Sequence, residues 1–474
     1  GSNMTGIALT IAPLNYNPSP NGVDLGAGTG IGLTFNQAVK AGSGEVTLRQ
    51  VGAAGTVVQT WGVGSSITYS NGDEISMSLV SDLAYNSVYH LSYPSGCFTN
   101  TGGDVSYVGT GYTFDTRTLG YQLFKWGRNQ NGAIGDNTVV FKSSPTQVPG
   151  TTWLTLNDAV QSKAVSAALK NDNTMWAWGM YGYGNLGLNE QAPSGSGHSS
   201  PVQLPGTWTG TPTVGTQTAM YNRPGGELWV AGTNQAGALG QNDITQRSSP
   251  VQIPGTTWSS GRKTKGMNQE FSMASLKTDG TLWIWGKSQY GDTTWGHNQM
   301  YSSPVQVPGT TWSQISYANS VVLTIKTDGT MWTWGTNGDG QLGHNDATTY
   351  SSPKQVPGTT WSKVGNAEKG CAAIKTDGTL WTWGYNNDGV LGQNQSEPTK
   401  ISSPVQVGSD TTWSDLQGVS GNTLIALKTD NTLWGWGRNT DGELGLTDRT
   451  EYSSPVQIPG NWGVLGAAGA LKNA

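Results

Sequence analysis

Two phrases recur along this chain at intervals of about fifty residues, and they constrain the fold more than any other feature. The first is close to Leu-Lys-Thr-Asp-Gly-Thr-Leu-Trp-x-Trp-Gly, and its last glycine recurs at Gly127, Gly179, Gly232, Gly286, Gly335, Gly384 and Gly437. The second is close to Ser-Ser-Pro-Val-Gln-Val-Pro-Gly-Thr-Thr-Trp, and its first proline recurs at Pro145, Pro201, Pro250, Pro304, Pro353, Pro404 and Pro455. A fixed period of this length, rich in short β-type runs and glycine turns, is typical of a radial or stacked array.

Each repeat is long enough for four short strands. The first begins near the Thr-Thr-Trp tryptophan, the second carries the Leu-Lys run, the third carries Trp-x-Trp-Gly, and the fourth follows Ser-Ser-Pro. Asp-Gly between the second and third strands predicts a tight turn that needs positive φ. Proline is tolerated at the start of the fourth strand, because a first strand position need not donate to the ladder. Seven such sheets in residues 118–474 predict an all-β, seven-bladed β-propeller.

The two ends of the repeat region indicate how the propeller closes. The region opens with a third and a fourth strand, at residues 123–127 onward, and it ends with a first and a second strand, at Trp462 and residues 470–473. The final Ala-Leu-Lys-Asn copies residues 168–171 of the second unit. We therefore expect the last residues to complete the first blade.

These phrases closely resemble the regulator of chromosome condensation repeat family. The recognisable core is Trp-Gly-x-Asn-x-x-Gly-x-Leu-Gly, present at residues 334–343, and the resemblance covers about three quarters of the chain. It implies a seven-bladed propeller. Members of the family include a nucleotide exchange factor, a plant ultraviolet photoreceptor and a bacterial inhibitor of β-lactamase, so the fold does not choose among these uses. The Gly-Trp-Arg-His-Thr phrase of the photoreceptor is absent.

Residues 5–117 lack the repeat and show the period-two alternation of β-strands, as at Ile31, Leu33 and Phe35. Phrases such as Gly-Leu-Thr-Phe-Asn-Gln-Ala-Val at residues 32–39 and Tyr-Thr-Phe-Asp-Thr at 112–116 resemble the bacterial Ig-like domains of S-layer and adhesin proteins. That resemblance implies an N-terminal Ig-like β-sandwich used as a spacer or adhesive unit. Residues 1–4 are interpreted as a cloning scar and start.

Composition restricts the classes of partner. Charged residues make up 12% of the chain and the net charge is −5, which gives no general attraction to nucleic acid or to anionic membranes. No apolar run approaches the ~18 residues that a membrane span needs, so membrane insertion is not expected. The residues after Met4 lack the features of a secretory signal. Two cysteines in different domains, Cys97 and Cys371, predict no disulfide framework.

Residues that suggest chemistry at first sight are explained by the repeat. Nineteen of the 21 tryptophans occupy three equivalent positions, which predicts packing between blades. The core members are Trp126, Trp178, Trp285, Trp334, Trp383 and Trp436. His297 and His344 share a slot that holds Leu in other repeats, so a metal site is not expected. The Asp-Gly aspartates and the Asp-rich turns, which could in principle bind Ca²⁺, are interpreted as turn formers. With no nucleophile or phosphate motif, we expect neither an enzyme nor a cofactor.

Departures from the repeat indicate where a partner binds. The loop at residues 189–199 is longer than its counterparts, and the connection into the fourth blade carries the basic Ser-Gly-Arg-Lys-Thr-Lys-Gly segment at residues 260–266. Both insertions are predicted on one face of the propeller, and long loops on a rigid scaffold usually bind partners. Neutral drift in loop length is an alternative of equal weight. The predicted partner-binding residues are Arg262, Lys263, Lys265, Tyr181, Tyr183 and His198.

The sequence thus predicts a non-enzymatic binding or structural protein, with a protein or a cell-surface glycan as partner. Low charge, near-identical repeats and the adhesin-type N-terminal domain favour a bacteriophage virion appendage or a bacterial surface protein. A soluble protein inhibitor or regulatory propeller is a second hypothesis. A sugar-binding lectin propeller is a third, and a nuclear exchange or chromatin factor is disfavoured by the acidic charge balance.

Overall fold

The computed structural model describes residues 13–17, 30–50, 55–70, 72–81, 83, 87–103, 105–107, 112–115, 120–157, 164–191, 196–259, 264–266, 272–287, 300–318, 320–395, 399–419, 421–466 and 469–473. The chain divides into two compact units, Gly1–Leu119 and Gly120–Ala474. The described residues are almost all strand or turn, with one short 3-10 helix at Asn387–Gly389.

The N-terminal unit is built from short antiparallel strands. They are β1 (Pro13–Asn17), β2 (Gly30–Phe35), β3 (Val39–Ala41), β4 (Glu45–Gln50), β5 (Thr56–Gly62), β6 (Thr68–Ser70), β7 (Glu74–Ser78), β8 (Val88–Ser92), β9 (Phe98–Asn100) and β10 (Tyr112–Asp115). Two sheets of four strands run in the orders β1-β2-β7-β6 and β10-β8-β4-β5, and β3 pairs with β9.

Alternating side chains from both four-stranded sheets form one core in this unit. Ile31 and Leu33 of β2 pack in the same buried cluster as Leu48 of β4 and Leu91 of β8, as the period-two pattern predicted. Trp61 closes one part of this core and donates its indole N–H to the carbonyl of Ser78 at 2.9 Å. The assignment of this unit to the bacterial Ig-like family stays a prediction.

The repeat unit contains the remaining strands. They are β11 (Tyr121–Gly127), β12 (Lys142–Leu156), β13 (Val165–Lys170), β14 (Met175–Met180), β15 (Gly197–Leu204), β16 (Thr209–Val214), β17 (Thr218–Arg223), β18 (Glu227–Gly232), β19 (Arg247–Ile253), β20 (Thr264–Gly266), β21 (Ser272–Leu276), β22 (Leu282–Lys287), β23 (Met300–Gln306), β24 (Trp312–Ala318), β25 (Val321–Lys326), β26 (Met331–Gly335), β27 (Tyr350–Val356), β28 (Trp361–Asn366), β29 (Gly370–Lys375), β30 (Leu380–Tyr385), β31 (Lys400–Gln406), β32 (Trp413–Val419), β33 (Thr423–Lys428), β34 (Leu433–Gly437), β35 (Tyr452–Ile458), β36 (Val464–Gly466) and β37 (Gly469–Asn473).

Sequence neighbours pair in each sheet of the repeat unit. Five antiparallel sheets of four strands, β16–β19, β20–β23, β24–β27, β28–β31 and β32–β35, follow one another along the chain. The other strands form one seven-stranded sheet in the order β15-β14-β13-β12-β11-β37-β36. Its long strand β12 pairs with β11 through Thr146–Val148 and then with β13 through Trp153–Leu156, so it serves as a fourth strand and then as a first strand.

The two ends of the repeat unit meet in this seven-stranded sheet. Strand β37 pairs with β11 in antiparallel register, with Tyr121 opposite Asn473 and Lys125 opposite Gly469. The pairing expected from the repeated Ala-Leu-Lys-Asn phrase is therefore present.

Successive sheets pack face to face through apolar side chains. Leu342 and Val356 of the β24–β27 repeat share a buried cluster with Trp361 and Trp383 of the β28–β31 sheet. The first strand of each sheet also contacts the first strand of the next, as β24 contacts β28 and β28 contacts β32. Fourth strands such as β27 pair on one side only and carry mostly exposed or half-buried residues. The wedge between sheets is filled by tryptophans because their rings bury more area than any other side chain.

The predicted position of proline at the start of the fourth strand is wrong. Pro353 is the fourth residue of β27, and its register with β26 shifts between Thr333, opposite Lys354, and Gly335, opposite Tyr350. Proline is accommodated there because β27 is an edge strand with a bulge, where a missing N–H breaks no ladder bond. The fourth repeat also differs: Trp258 forms an isolated bridge with Lys277, and β20 begins only at Thr264.

Candidate interaction surfaces

Strand order gives each sheet of the repeat unit two distinct ends. Connections from first to second and from third to fourth strands leave one end, which we call the loop face. Turns from second to third strands leave the other end, which we call the turn face, together with the connections between sheets. The Trp-Gly-x-Asn-x-x-Gly-x-Leu-Gly core belongs to the loop face, and Asp-Gly belongs to the turn face.

On the turn face, one hydrogen-bonded chain explains the Asp-Gly-Thr-Leu-Trp phrase. Asp377 Oδ1 accepts from the N–H of Thr379 at 3.0 Å and from its hydroxyl at 2.7 Å, and Trp381 Nε1 donates to that hydroxyl at 2.8 Å. Gly378 supplies the positive φ, +78°. These bonds from Thr379 lower the pKa of Asp377. The same chain recurs from Asp172, Asp279, Asp328 and Asp430. The aspartates are therefore turn formers, as predicted.

In six of the seven third strands, the inner position holds a tryptophan that is enclosed between sheets. Trp126, Trp178, Trp285, Trp334, Trp383 and Trp436 are each at most 1% exposed. The indole N–H of Trp383 donates across the sheet boundary to the carbonyl of Gln341 at 2.7 Å. A Cβ on Gly343, which has φ +74°, would lie 3.1 Å from Trp383 Nε1, so glycine is required at the end of Leu-Gly. These six rings lie out of reach of a partner.

The Asp-rich turns of the loop face use their polar groups internally. Asn337 is fully buried, donates to Asp346 Oδ1 at 2.9 Å and accepts from the N–H of Leu342 at 2.9 Å. Asp339 forms an ion pair with Lys400 at 2.8 Å. No group of three or more His, Cys, Asp or Glu residues able to hold a metal ion occurs among the described residues.

A cation held between two aromatic rings recurs in every repeat, and sequence reasoning missed it. The Lys375 Nζ lies 3.9 Å from the ring centroid of Trp381 and 4.9 Å from that of Trp361. The equivalent cations are Lys170, Arg223, Lys277, Lys326, Lys428 and Lys472, the last with Phe124 in place of one tryptophan. The signal was present in the constant spacing of Leu-Lys from both tryptophans. Such stacking stabilises the sheet and keeps the cation partly accessible.

On the loop face, the structure brings together two of the predicted binding residues. The rings of Tyr181 and His198 stack with centroids 4.5 Å apart and an interplanar angle of 18°. His198 Nε2 lies 2.7 Å from Glu190 Oε2, a partner that sequence reasoning did not identify. Tyr183 lies nearby in the chain, and its backbone carbonyl accepts from Gln246 Nε2 at 3.0 Å. Tyr181, Glu190 and His198 thus form a partly exposed cluster, which we call the loop-face cluster.

The predicted basic insertion is only partly described. Arg262 and Lys263 lie outside the described residues, as do Trp295 and His297. For Lys265 the backbone is described but not the side chain. It lies within β20, opposite Ala274, so its predicted position in the connection between the first and second strands is wrong. The partner-binding role of these three cations stays a prediction. No helix long and apolar enough to cross a membrane occurs within the described part of the chain.

Comparison with known proteins supports the repeat resemblance. The family model for the regulator of chromosome condensation (RCC1) repeat matches residues 328–370, 377–419 and 430–468. The ultraviolet-B receptor UVR8 of Arabidopsis thaliana is 28% identical over 198 residues, which are 40% of this chain and 42% of the receptor. The chain thus spans less than half the length of this curated relative.

Solved structures show the same fold at low identity. Human WBSCR16 has a TM-score of 0.64 and 18% identity, covering 75% of this chain and 99% of that one. Prp20p of Saccharomyces cerevisiae, described with its binding properties to Gsp1p and histones, has a TM-score of 0.65 and 15% identity, covering 75% and 92%. The protein is accordingly all-β, and its repeat unit is a β-propeller similar to those of RCC1-repeat proteins.

Proposed function

We propose that this protein is a non-enzymatic binding scaffold carried on a bacteriophage virion appendage or on a bacterial surface. In this proposal the repeat unit is a propeller of seven blades, two of which share the seven-stranded sheet. The N-terminal unit is an Ig-like spacer, and a protein or a cell-surface glycan is bound through the loop face.

The observation that carries the proposal is that the repeated phrases and the irregular loops of the repeat unit have different roles. Aromatic and acidic side chains that recur in each repeat are committed to turns, sheet packing and stacking, as in the chain from Asp377 to Trp381. The loop-face cluster of Tyr181, Glu190 and His198 lies outside the repeat pattern and is partly exposed. Binding residues are commonly placed on such loops by a rigid scaffold.

The charge and the relatives support a binding role over a catalytic one. Only 12% of the residues are charged, which suits contact through hydrogen bonds and aromatic rings rather than long-range attraction. Prp20p, whose structure was described with binding to Gsp1p and histones, is an example of this fold used in protein binding. A soluble inhibitor or regulatory propeller is the second candidate, and it predicts tight stoichiometric binding to a soluble protein through the same loop face.

The test is saturation binding of labelled protein to intact bacterial cells and to extracted envelope glycans. Two variants are compared with wild type: the loop-face variant Tyr181→Ala with His198→Ala, and the basic-segment variant Arg262→Ser with Lys263→Ser and Lys265→Ser. Thr327→Ala, exposed on the turn face, is the matched control. We expect saturable binding that both variants weaken and the control retains. Absence of binding to every envelope would reject the surface role, and capture of a stoichiometric soluble protein would favour the second candidate.

A further inference from the structure

A cleft of about 400 Å³ lies between the β24–β27 and β28–β31 sheets, away from the loop-face cluster. Its walls include the rings of Trp361 and Trp381 and the prolines Pro357 and Pro404. A volume of this size is within the range of small-ligand sites, which combine apolar walls with a few polar groups. Trp381 is half-buried, so part of its indole faces the cleft.

Positive charge lines this cleft, although the chain as a whole is acidic. Lys354 and Lys375 both contribute to the lining, and no carboxylate does. Lys375 stacks on Trp381 without a carboxylate within ion-pair distance among the described residues. Lys354 donates to the hydroxyl of Tyr350 at 2.5 Å and lies 3.5 Å from Asp346. The lining thus offers Lys375, which forms no ion pair among the described residues although its charge acts on Asp377, and Lys354, which is partly neutralised by Asp346.

The next boundary between sheets supplies an internal comparison. The equivalent cleft between the β28–β31 and β32–β35 sheets is lined by Trp413 and Pro455, but also by Asp410. Asp410 Oδ2 lies 2.6 Å from the Nζ of Lys428, which occupies the position of Lys375 in its own repeat. The two clefts lie at equivalent sheet boundaries, but the lining of the second includes Asp410 and neither Lys428 nor Trp434, and Asp410 neutralises Lys428.

Strand addition by a peptide is disfavoured at the first cleft. Pro353 stands inside the outer strand β27 and Pro404 inside β31, so each edge lacks a backbone donor near the middle of the strand. Side chains supply the remaining polar groups, among them His344 and Asn345. His344 bonds to the hydroxyl of Thr333 at 2.9 Å.

From these observations we infer that the cleft beside Lys375 binds an acidic saccharide. The pyranose ring lies against the indole of Trp381, its hydroxyls bond to the polar side chains of the rim, and its carboxylate or phosphate pairs with Lys375. Charge-assisted bonds of this kind are the strong ones in polar recognition. The inference is independent of binding through the loop face.

The test is calorimetric titration of the full chain with a short oligogalacturonate and with its methyl ester, a neutral form of the same sugar. A short oligosaccharide phosphate forms a second arm, which distinguishes carboxylate from phosphate ligands. We expect binding of at least one acidic form and at least about tenfold weaker binding of the methyl ester, because a hydrogen bond to a charged group is lost.

Lys375→Met and Lys428→Met are the matched pair of variants. Each removes one positive charge and one stacked cation, and each leaves an apolar chain between the same two ring types. Lys375→Met should weaken binding about tenfold, whereas Lys428→Met should leave it unchanged. Equal thermal unfolding temperatures of the two variants establish that both fold. If Lys375→Met does not fold, Lys354→Gln provides a second cleft variant.

An equal loss of saccharide affinity in Lys375→Met and Lys428→Met would overturn the inference. It would also be overturned if the methyl ester bound as tightly as the acidic form, or if neither acidic saccharide bound. Tighter competition by an acidic peptide would assign the cleft to a protein ligand instead. Because the Tyr181 and His198 variants should still bind these saccharides, failure of this inference and failure of the proposed function are distinguishable.

Discussion

The turn face and the loop face of the repeat unit are made by the same strands, yet they differ in regularity. On the turn face, five sheets repeat one chain of bonds from an aspartate through a threonine to a tryptophan. On the loop face a turn centred on asparagine also recurs, as from Asn337 to Leu342 and from Asn439 to Leu444, but single connections add features of their own. Tyr181 stacks on His198 in one connection, and a 3-10 helix with Asp388 at φ +58° lies in another. Regular positions stabilise the fold, and irregular positions remain free to acquire binding.

One departure from the repeat lies inside the core instead of on a face. Lys125 is 3% exposed and occupies the middle of Phe-Lys-Trp-Gly, where other repeats have residues such as Ala177 and Ile284. Its ammonium bonds to the hydroxyl of Ser166, which in turn donates to the carbonyl of Ala133 at 2.7 Å. It lies on β11, the strand that joins the two ends of the unit. This departure should therefore act on stability and closure.

The largest effect should follow removal of a regular core ring. Trp383→Ala removes a fully buried indole and leaves the carbonyl of Gln341 without its donor. We expect a loss of about 3–5 kcal/mol in the free energy of unfolding, measured by urea titration. Trp381→Ala, two residues earlier and half-buried, is the control and should cost about half as much. Equal losses would contradict the distinction between enclosed and accessible tryptophans.

A gain in stability is expected when the buried cation is replaced. Burial lowers the pKa of Lys125 to about 7, whereas an unfolded lysine titrates near 10.4. Between these two values the unfolded state holds a proton that the folded state has lost, so stability rises with pH across the window and stays flat below pH 7.

Lys125→Met should therefore be more stable than wild type at pH 7 by on the order of 3 kcal/mol, and the difference should shrink as the pH approaches 10. Urea unfolding at a series of pH values measures both quantities. If the stability of the variant rises with pH as steeply as that of wild type, Lys125 is not the group that causes the pH dependence.

A smaller loss in the free energy of unfolding should follow when the series of hydrogen bonds on the turn face is broken. Thr379→Ala removes the hydroxyl that joins Asp377 to Trp381 and leaves the indole N–H of the half-buried Trp381 without this acceptor. We expect a loss of about 1 kcal/mol by urea unfolding. Thr376→Ala, exposed next to the same turn, should be neutral.

The smallest effect should come from the ion pair of the second cleft. Lys428 holds the pKa of Asp410 at about 2, so the carboxylate contributes stability above its unfolded pKa, and this is lost as the pH falls toward 2. Because the pair is partly exposed, Asp410→Asn should cost about 1 kcal/mol or less at pH 7. If the stability cost of Asp410→Asn persists at pH 2, the cause is packing and not the charge of Asp410.

Much of the fold could be predicted from the sequence because the same local interactions recur in each repeat. The repeated phrases and their order along the chain were enough to predict the strand order, the Asp-Gly turns and the pairing of β37 with β11. The position of Pro353 could not, because the bulge depends on the register between β26 and β27.

The sites were less predictable than the strands. His198 was proposed from the length of its loop and Tyr181 from the sugar-binding hypothesis, but the contact of His198 with Glu190 depends on how the loop folds back. The cleft beside Lys375 combines residues from two repeats, so no single phrase indicates it. Lys125 could have been noticed as a charged residue in a slot that is apolar or small in most repeats.

The most direct test of the division between the two faces measures stability and envelope binding in the same two variants. Thr379→Ala should lose about 1 kcal/mol of stability and keep wild-type binding. His198→Ala should keep wild-type stability and lose binding. Loss of binding in Thr379→Ala at temperatures where it is folded, or full binding by His198→Ala, would contradict the account.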